Sequence, residues 1–169
     1  MNILIRRFVR RHEPGGIRAY QIKAGIGACL AIIALGLITH VAGRPLLLAP
    51  FGASSVLLFG QPRSPLAQPV NVLGGYVVAC GWMILLLGLF PHSLVAAGMA
   101  VGLAITTMLV MRLSHPPAGA VPVVGLVGQA GVGSLTVSVL AGSLILVLIA
   151  LVFHRLPPRQ PFPLDIDLG

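Results

Sequence analysis

Leu46-Leu47-Leu48-Ala49-Pro50-Phe51-Gly52-Ala53-Ser54-Ser55-Val56-Leu57-Leu58-Phe59-Gly60 is apolar and uncharged from end to end. As a helix it would reach only about 22 Å, short of the roughly 30 Å of a bilayer's hydrocarbon. Pro50 and Gly52 break it further. Its neighbours decide what it is. Before it lies Ala24–Gly43, an uncharged span rich in Gly, Ala, Ile and Leu. After it come a polar, proline-rich bridge from Gln61 to Pro69 and a second span, Val70–Phe90. The pattern then recurs. Ser93–Met111 is a span, Val121–Val132 is a short run cut by Pro122, Gly125, Gly128 and Gly131, and Gly133–Phe153 is the last span. The expectation is an all-α membrane protein with four full spans and two short segments, broken or re-entrant. Residues 1–20 form a basic interfacial segment, 21–156 the transmembrane domain with halves at about 24–90 and 91–153, and 157–169 a flexible cytoplasmic tail.

Composition agrees. Of 169 residues, 57% are hydrophobic and 8% charged, and the mean hydropathy is +1.01; a soluble domain carries about 25% charged residues. There are 11 basic residues and 3 acidic ones. The acids, Glu13, Asp165 and Asp167, all lie near the ends. An acid-free interior has no carboxylate pair for acid–base catalysis, no cage for Mg²⁺ or Ca²⁺ and no carboxylate relay for protons or sodium. No nucleophile–base constellation, phosphate loop or metal motif is present. The chain is therefore expected to be no enzyme and to hold no cofactor or metal. Its basic residues sit at the ends of apolar segments, which points to a lipid bilayer and not to nucleic acid. Cys29 and Cys80 lie inside apolar runs as packing residues. With Arg6, Arg7, Arg10 and Arg11 at one end and Arg155 and Arg159 at the other, the positive-inside rule puts both termini in the cytoplasm. Four crossings and six both satisfy it. A bacterial inner membrane fits a chain with neither a secretory signal nor an organelle transit peptide.

The halves align at an offset of 67. Pro50-Phe51-Gly52-Ala53 pairs with Pro117-Ala118-Gly119-Ala120, Ile38-Thr39 with Ile105-Thr106, Val56 with Val123, Leu73 with Leu140 and Gly75 with Gly142. Broken segments at matching places in two halves mark the substrate site in many transporters. Their freed backbone groups belong against a pocket or a water path, not against lipid.

Candidate binding residues follow from that. His115 precedes two prolines and can donate to an anion or carry a proton. Ser54 and Ser55 offer hydroxyl donors without fixed charge, and Asn71 opens a span as a cap or as a lining amide. Arg63 and Arg112 flank the special segments with no acid nearby, and together would form a positive mouth for anions. Gly52 and Gly119 belong to the repeated blocks. Arg44, His40 and His92 read as span-end residues, and Gly25, Gly27, Gly98 and Gly102 suit close helix packing.

Ser114-His115-Pro116-Pro117-Ala118-Gly119-Ala120 resembles the signature of the HPP family of integral membrane proteins. The blocks from Ala49 to Gly60 and from Ser64 to Gly75 resemble that family's other shared segments, so the likeness covers about Ile17 to Phe153. The resemblance implies four membrane spans and, from plant chloroplast members, nitrite transport. The expected function is passage of a small inorganic anion, nitrite first, by a channel or a proton-coupled carrier. The alternatives are an accessory membrane subunit or a facilitator of another small solute. The small size suggests a homo-oligomer.

Overall fold

The computed structural model describes residues 19–43, 46–128 and 131–164. Among them every regular element is helical. Six α-helices follow in order: α1 Ala19–Ala42, α2 Ala49–Ser55, α3 Pro69–Leu89, α4 Leu94–Val110, α5 Val121–Val127 and α6 Val132–Phe153. A π turn, Val56–Gly60, prolongs α2, and a 3-10 turn, Pro116–Ala120, leads into α5. Most of the basic N-terminal segment, Arg44 and residues 165–169 lie outside the described residues.

Helices α1, α3 and α6 are long and apolar enough to cross a membrane. The expected fourth full span is shorter. Ser93 caps α4 by accepting from the Ala96 amide at 3.2 Å, and Arg112 closes it with φ 56°. The Leu113 amide then bonds the Met108 carbonyl at 2.8 Å, a Schellman-type end that stops the helix at 17 residues. That is the lower limit for a spanning helix. Gly43, at φ +62°, ends α1 in the left-handed conformation that glycine adopts without steric cost.

Contacts fix how the short segments run. The Leu46 amide donates to Thr39 Oγ1 near the end of α1, whereas Tyr20 Oη at its start donates to the carbonyls of Phe59 and Gly60. Residues 46–60 therefore return along the whole of α1. In the other half, Asn71 Nδ2 donates to the Ser114 carbonyl, and a Cβ on Gly125 would strike Met83 and Leu87. Residues 114–125 therefore run alongside α3 and in its direction.

The two segments are built alike. The Phe51 amide bonds the Leu48 carbonyl at 2.9 Å, and Ala118 bonds His115 at 3.0 Å. At their far ends, Gln61 bonds Leu57 at 3.0 Å and Gly128 bonds Val124 at 2.8 Å. A Cβ on Gly75 would lie 3.3 Å from the Leu113 carbonyl, and one on Gly142 would lie 3.3 Å from the Leu46 carbonyl. In each pair the residues differ by 67. Each segment is also packed by a glycine on a long helix of the other half.

Aromatic side chains fill the centre. Phe51 meets Tyr76 edge-on with centroids 5.6 Å apart, and Phe59 meets Phe153 in the same way. Gly27 leaves the room that Phe59 and Phe153 occupy. The outer faces of α1 and α4 expose Ile26, Leu30, Ile33, Leu94, Val95 and Leu109, a surface suited to lipid. Cys80 is buried as expected, whereas Cys29 lies on the open face of α1. Gly25, Gly98 and Gly102, expected in close packing, have no neighbour in the chain within 4 Å of a Cβ position. The C-terminal tail is docked as far as Leu164: its amide bonds Gln68 Oε1 at 2.9 Å, and Phe162 is buried against the His154 ring.

Candidate functional site: a buried hydroxyl–imidazole chain

Three side chains from three elements meet in the core. Ser54 lies in the last turn of α2, Tyr76 lies in α3, and His115 precedes the 3-10 turn. Each is fully buried. His115 has φ −136° and ψ 94°, the extended backbone that a following proline imposes. That turns the chain, already out of α4 at Val110, toward α3. Gly75 permits the approach: a Cβ there would lie 2.8 Å from His115 Cβ.

Ser54 Oγ lies 2.7 Å from Tyr76 Oη and 2.8 Å from His115 Nε2, and His115 Nδ1 lies 2.8 Å from the Leu66 carbonyl. These distances set the direction of every bond. The Leu66 carbonyl can only accept, so Nδ1 carries a proton, and in the neutral imidazole Nε2 is then the acceptor. Ser54 donates to Nε2, and Tyr76 donates to Ser54. The chain Tyr76→Ser54→His115→Leu66 is complete, with no donor to spare.

Among the described residues, two other buried hydroxyls have no partner. Ser55 Oγ and Ser138 Oγ are both shielded from solvent, and neither bonds to a carbonyl of its own helix. Ser138 lies on α6 one turn before Gly142, on the side that packs against Phe51. A buried hydroxyl without a partner is uncommon and invites a water or a small ligand.

The expected site residues therefore divide. Ser54 and His115 are joined directly. Asn71 is adjacent and ties α3 to Ser114 at 3.2 Å. Ser55 is buried beside them along α2. Gly52 is exposed and Gly119 half-buried, and nothing lies within 4 Å of a Cβ position on either. Arg63 and Arg112 are exposed and are not part of the chain. Both lie at one end of the molecule, with Lys23, Arg155 and Arg159; these five are all the lysines and arginines among the described residues. Contacts there tie the start of α1, the π turn and the chain beyond α6: Lys23 Nζ donates to the carbonyls of Leu156 and Pro158, and His154 Nε2 donates to the Leu58 carbonyl at 2.8 Å.

Sequence reading missed Tyr76 and Ser138. Tyr76 is the one tyrosine inside an uncharged span, which is a signal in itself. Ser138 stands 67 residues after Asn71, so the internal alignment leads to it.

Two proteins of Dictyostelium discoideum, each named as a transmembrane protein, are similar to this chain. One is 35% identical over 126 residues, 70% of this chain and 44% of its own length. The other is 35% identical over 125 residues, 69% of this chain and 40% of its own length. The chain thus spans less than half the length of the curated relatives it matches. No solved structure matches it. The pattern of the HPP transmembrane region runs through residues 14–163 and takes in all six helices together with the Ser54–His115 junction; this chain is an integral membrane protein of the HPP family.

Proposed function

We propose that this protein carries a small inorganic anion across the membrane, nitrite first among candidates, between two inverted repeats of three crossings each. The observation that carries the reading is the pair of unpartnered buried hydroxyls, Ser55 and Ser138, in a core whose described residues include no carboxylate. They can donate to an anion without trapping it by fixed charge. The completed Tyr76–Ser54–His115 chain revises the role expected of His115. Because both ring nitrogens are already bonded, we place His115 as a positioning residue between α2 and α3 that can relay a proton.

The backbone supports six crossings over four. Residues 46–60 return from the end of α1 to its start, and residues 114–125 advance with α3. The hydrogen bonds and glycine contacts that recur at an offset of 67 support two related halves. The clustered cations support a cytoplasmic face at that end of a bacterial plasma membrane, with both termini on it. Arg63 and Arg112 would there draw anions toward the mouth.

The test is nitrite uptake into sealed liposomes holding the purified protein, with and without a pH gradient, against empty liposomes. Uptake above the empty control is expected, reduced in Ser55→Ala and Ser138→Ala. A response to the gradient identifies proton coupling. Folded, inserted protein that takes up no nitrite would overturn the proposal and favour another solute or an accessory role.

A further inference from the structure

The chain beyond α6 folds back along the cation-bearing end and is tied down there. Lys23 Nζ donates to the carbonyls of Leu156 and Pro158, the Phe162 ring packs on His154 with centroids 5.2 Å apart, and the Leu164 amide donates to Gln68 Oε1 at 2.9 Å. Gln68 is where this tail meets the rest of the molecule. Its Nε2 donates to the carbonyls of Pro62 and Ser64, each at 2.9 Å. Two carbonyls can only accept and the Leu164 amide can only donate, so the side-chain amide has one orientation, and both its protons and its oxygen are engaged.

The bridge that Gln68 clamps is a compact turn. The Ser64 amide donates to the Gln61 carbonyl at 2.9 Å, the Ala67 amide to the Ser64 carbonyl at 3.0 Å, and the Leu66 amide to Ser64 Oγ at 3.3 Å. The Leu66 carbonyl of this turn is the one that accepts from His115 Nδ1 at 2.8 Å. The hydrogen bond at one ring nitrogen decides what the other nitrogen does. With the proton on Nδ1, Ser54 donates to His115, Tyr76 donates to Ser54, and every proton is placed. With the proton on Nε2, the ring would donate to Ser54. One hydroxyl proton of the Ser54–Tyr76 pair would then be left over, and the Leu66 carbonyl would face a bare nitrogen.

We infer that the docked C-terminal tail, through Gln68 and the Gln61–Gln68 bridge, holds the Leu66 carbonyl on His115 and so fixes which ring nitrogen carries the proton. Gln68 is thus a positioning residue that acts through Leu66. In the proposed transport, release of the tail would free the imidazole to change tautomer and relay a proton. That consequence rests on the transport reading, whereas the tautomer is read without any solute.

The test uses the full-length protein in detergent, labelled with nitrogen-15 at histidine, because protonated and bare ring nitrogens resonate far apart. Wild-type His115, identified by the signals lost in His115→Gln, is expected to show the Nδ1-protonated tautomer alone. Leu164→Pro removes the tail's amide donor; Gln68→Glu keeps the acceptor for that amide and loses both donors to the bridge. Each is expected to give His115 a mixture of tautomers and to speed exchange of the Ala67 and Gln68 amides about fivefold, as loss of one net hydrogen bond implies. Leu164 is exposed, so its variant decides the matter if Gln68→Glu fails to fold. His154, whose Nε2 proton lies on the Leu58 carbonyl, is the internal reference and is expected to keep its tautomer. An unchanged His115 in either folded variant would overturn the inference. So would loss of both tautomers together, which marks general loosening of that end.

Discussion

Removing the Ser54 hydroxyl strands two buried groups at once, the Tyr76 donor and the His115 acceptor. An unsatisfied buried polar group costs about 1–3 kcal/mol, so Ser54→Ala is expected to lower the unfolding midpoint in detergent clearly. Ser55→Ala is its control, because the Ser55 hydroxyl has no partner to lose. Its stability is expected to stay at the wild-type level while nitrite uptake falls. Equal destabilisation in both would remove the distinction drawn between a structural and a substrate-facing serine. His154 gives a second residue-scale expectation. It lies just beyond α6, and burial, the largest cause, holds its imidazole below the ordinary value; Lys23 adds to this and the Leu58 carbonyl opposes it. Below about pH 6.5 the unfolded chain therefore binds more protons than the folded one, and stability falls as pH drops through that window. Melting curves between pH 8 and pH 5 are expected to show that slope, and His154→Gln, which keeps a side-chain donor, is expected to flatten it. Ser54 and His115 were legible because a His-Pro-Pro triplet and a Pro-Phe-Gly-Ala-Ser-Ser run are conspicuous in apolar sequence. The saturation of their bonds was not, because it depends on Tyr76 and Leu66, which approach only through the tertiary fold.

At the scale of elements, glycines set how closely the broken segments approach the long helices. A Cβ at Gly142 would overlap the Phe51 ring and crowd the Leu46 carbonyl; one at Gly75 would crowd His115 and the Leu113 carbonyl. Backbone and a buried ring cannot yield as a surface side chain can, so overpacking of about 1–3 kcal/mol is expected for Gly142→Ala and for Gly75→Ala. Gly98→Ala and Gly102→Ala meet nothing within the chain. Thermal stability of the monomer is expected to be unchanged by them, and a change in oligomer size on gel filtration would mark that face of α4 as the contact between copies. The outline of span, broken run and span was readable from apolar run lengths and Pro/Gly positions. The stop of α4 at Val110 was not. Arg112 adopts a left-handed backbone that glycine takes more readily, and nothing in its local sequence announces that. The π turn at Val56–Gly60 was equally hidden, since its carbonyls are taken by Tyr20 and His154, which are distant in sequence.

For the whole molecule the argument turns on which end of each segment meets which end of α1. A re-entrant loop would bring Leu46 and Gly60 to one level. Here Leu46 is tied to Thr39 and Gly60 to Tyr20, about 28 Å apart along a helix at 1.5 Å per residue. That separation is close to the thickness of the hydrocarbon, which supports the proposed crossing by the broken run. Charge makes the same division: all five described cations share the Tyr20 end, and the turns at 43, 90–93 and 128–131 include no described charged residue. Single cysteines in a Cys29→Ala/Cys80→Ala background test this directly with a membrane-impermeant maleimide. Val41→Cys and Val127→Cys occupy exposed positions at the uncharged end; Pro65→Cys and Met111→Cys are exposed at the cationic end. In sealed right-side-out vesicles the first pair is expected to label and the second to remain protected, and inverted vesicles are expected to reverse the result. Labelling of Val41 and Pro65 from the same face would make the first broken run re-entrant and would undo the six-crossing reading. It would leave the Ser54–His115 chain untouched, because that chain depends on packing between segments and not on which side of the membrane each one ends.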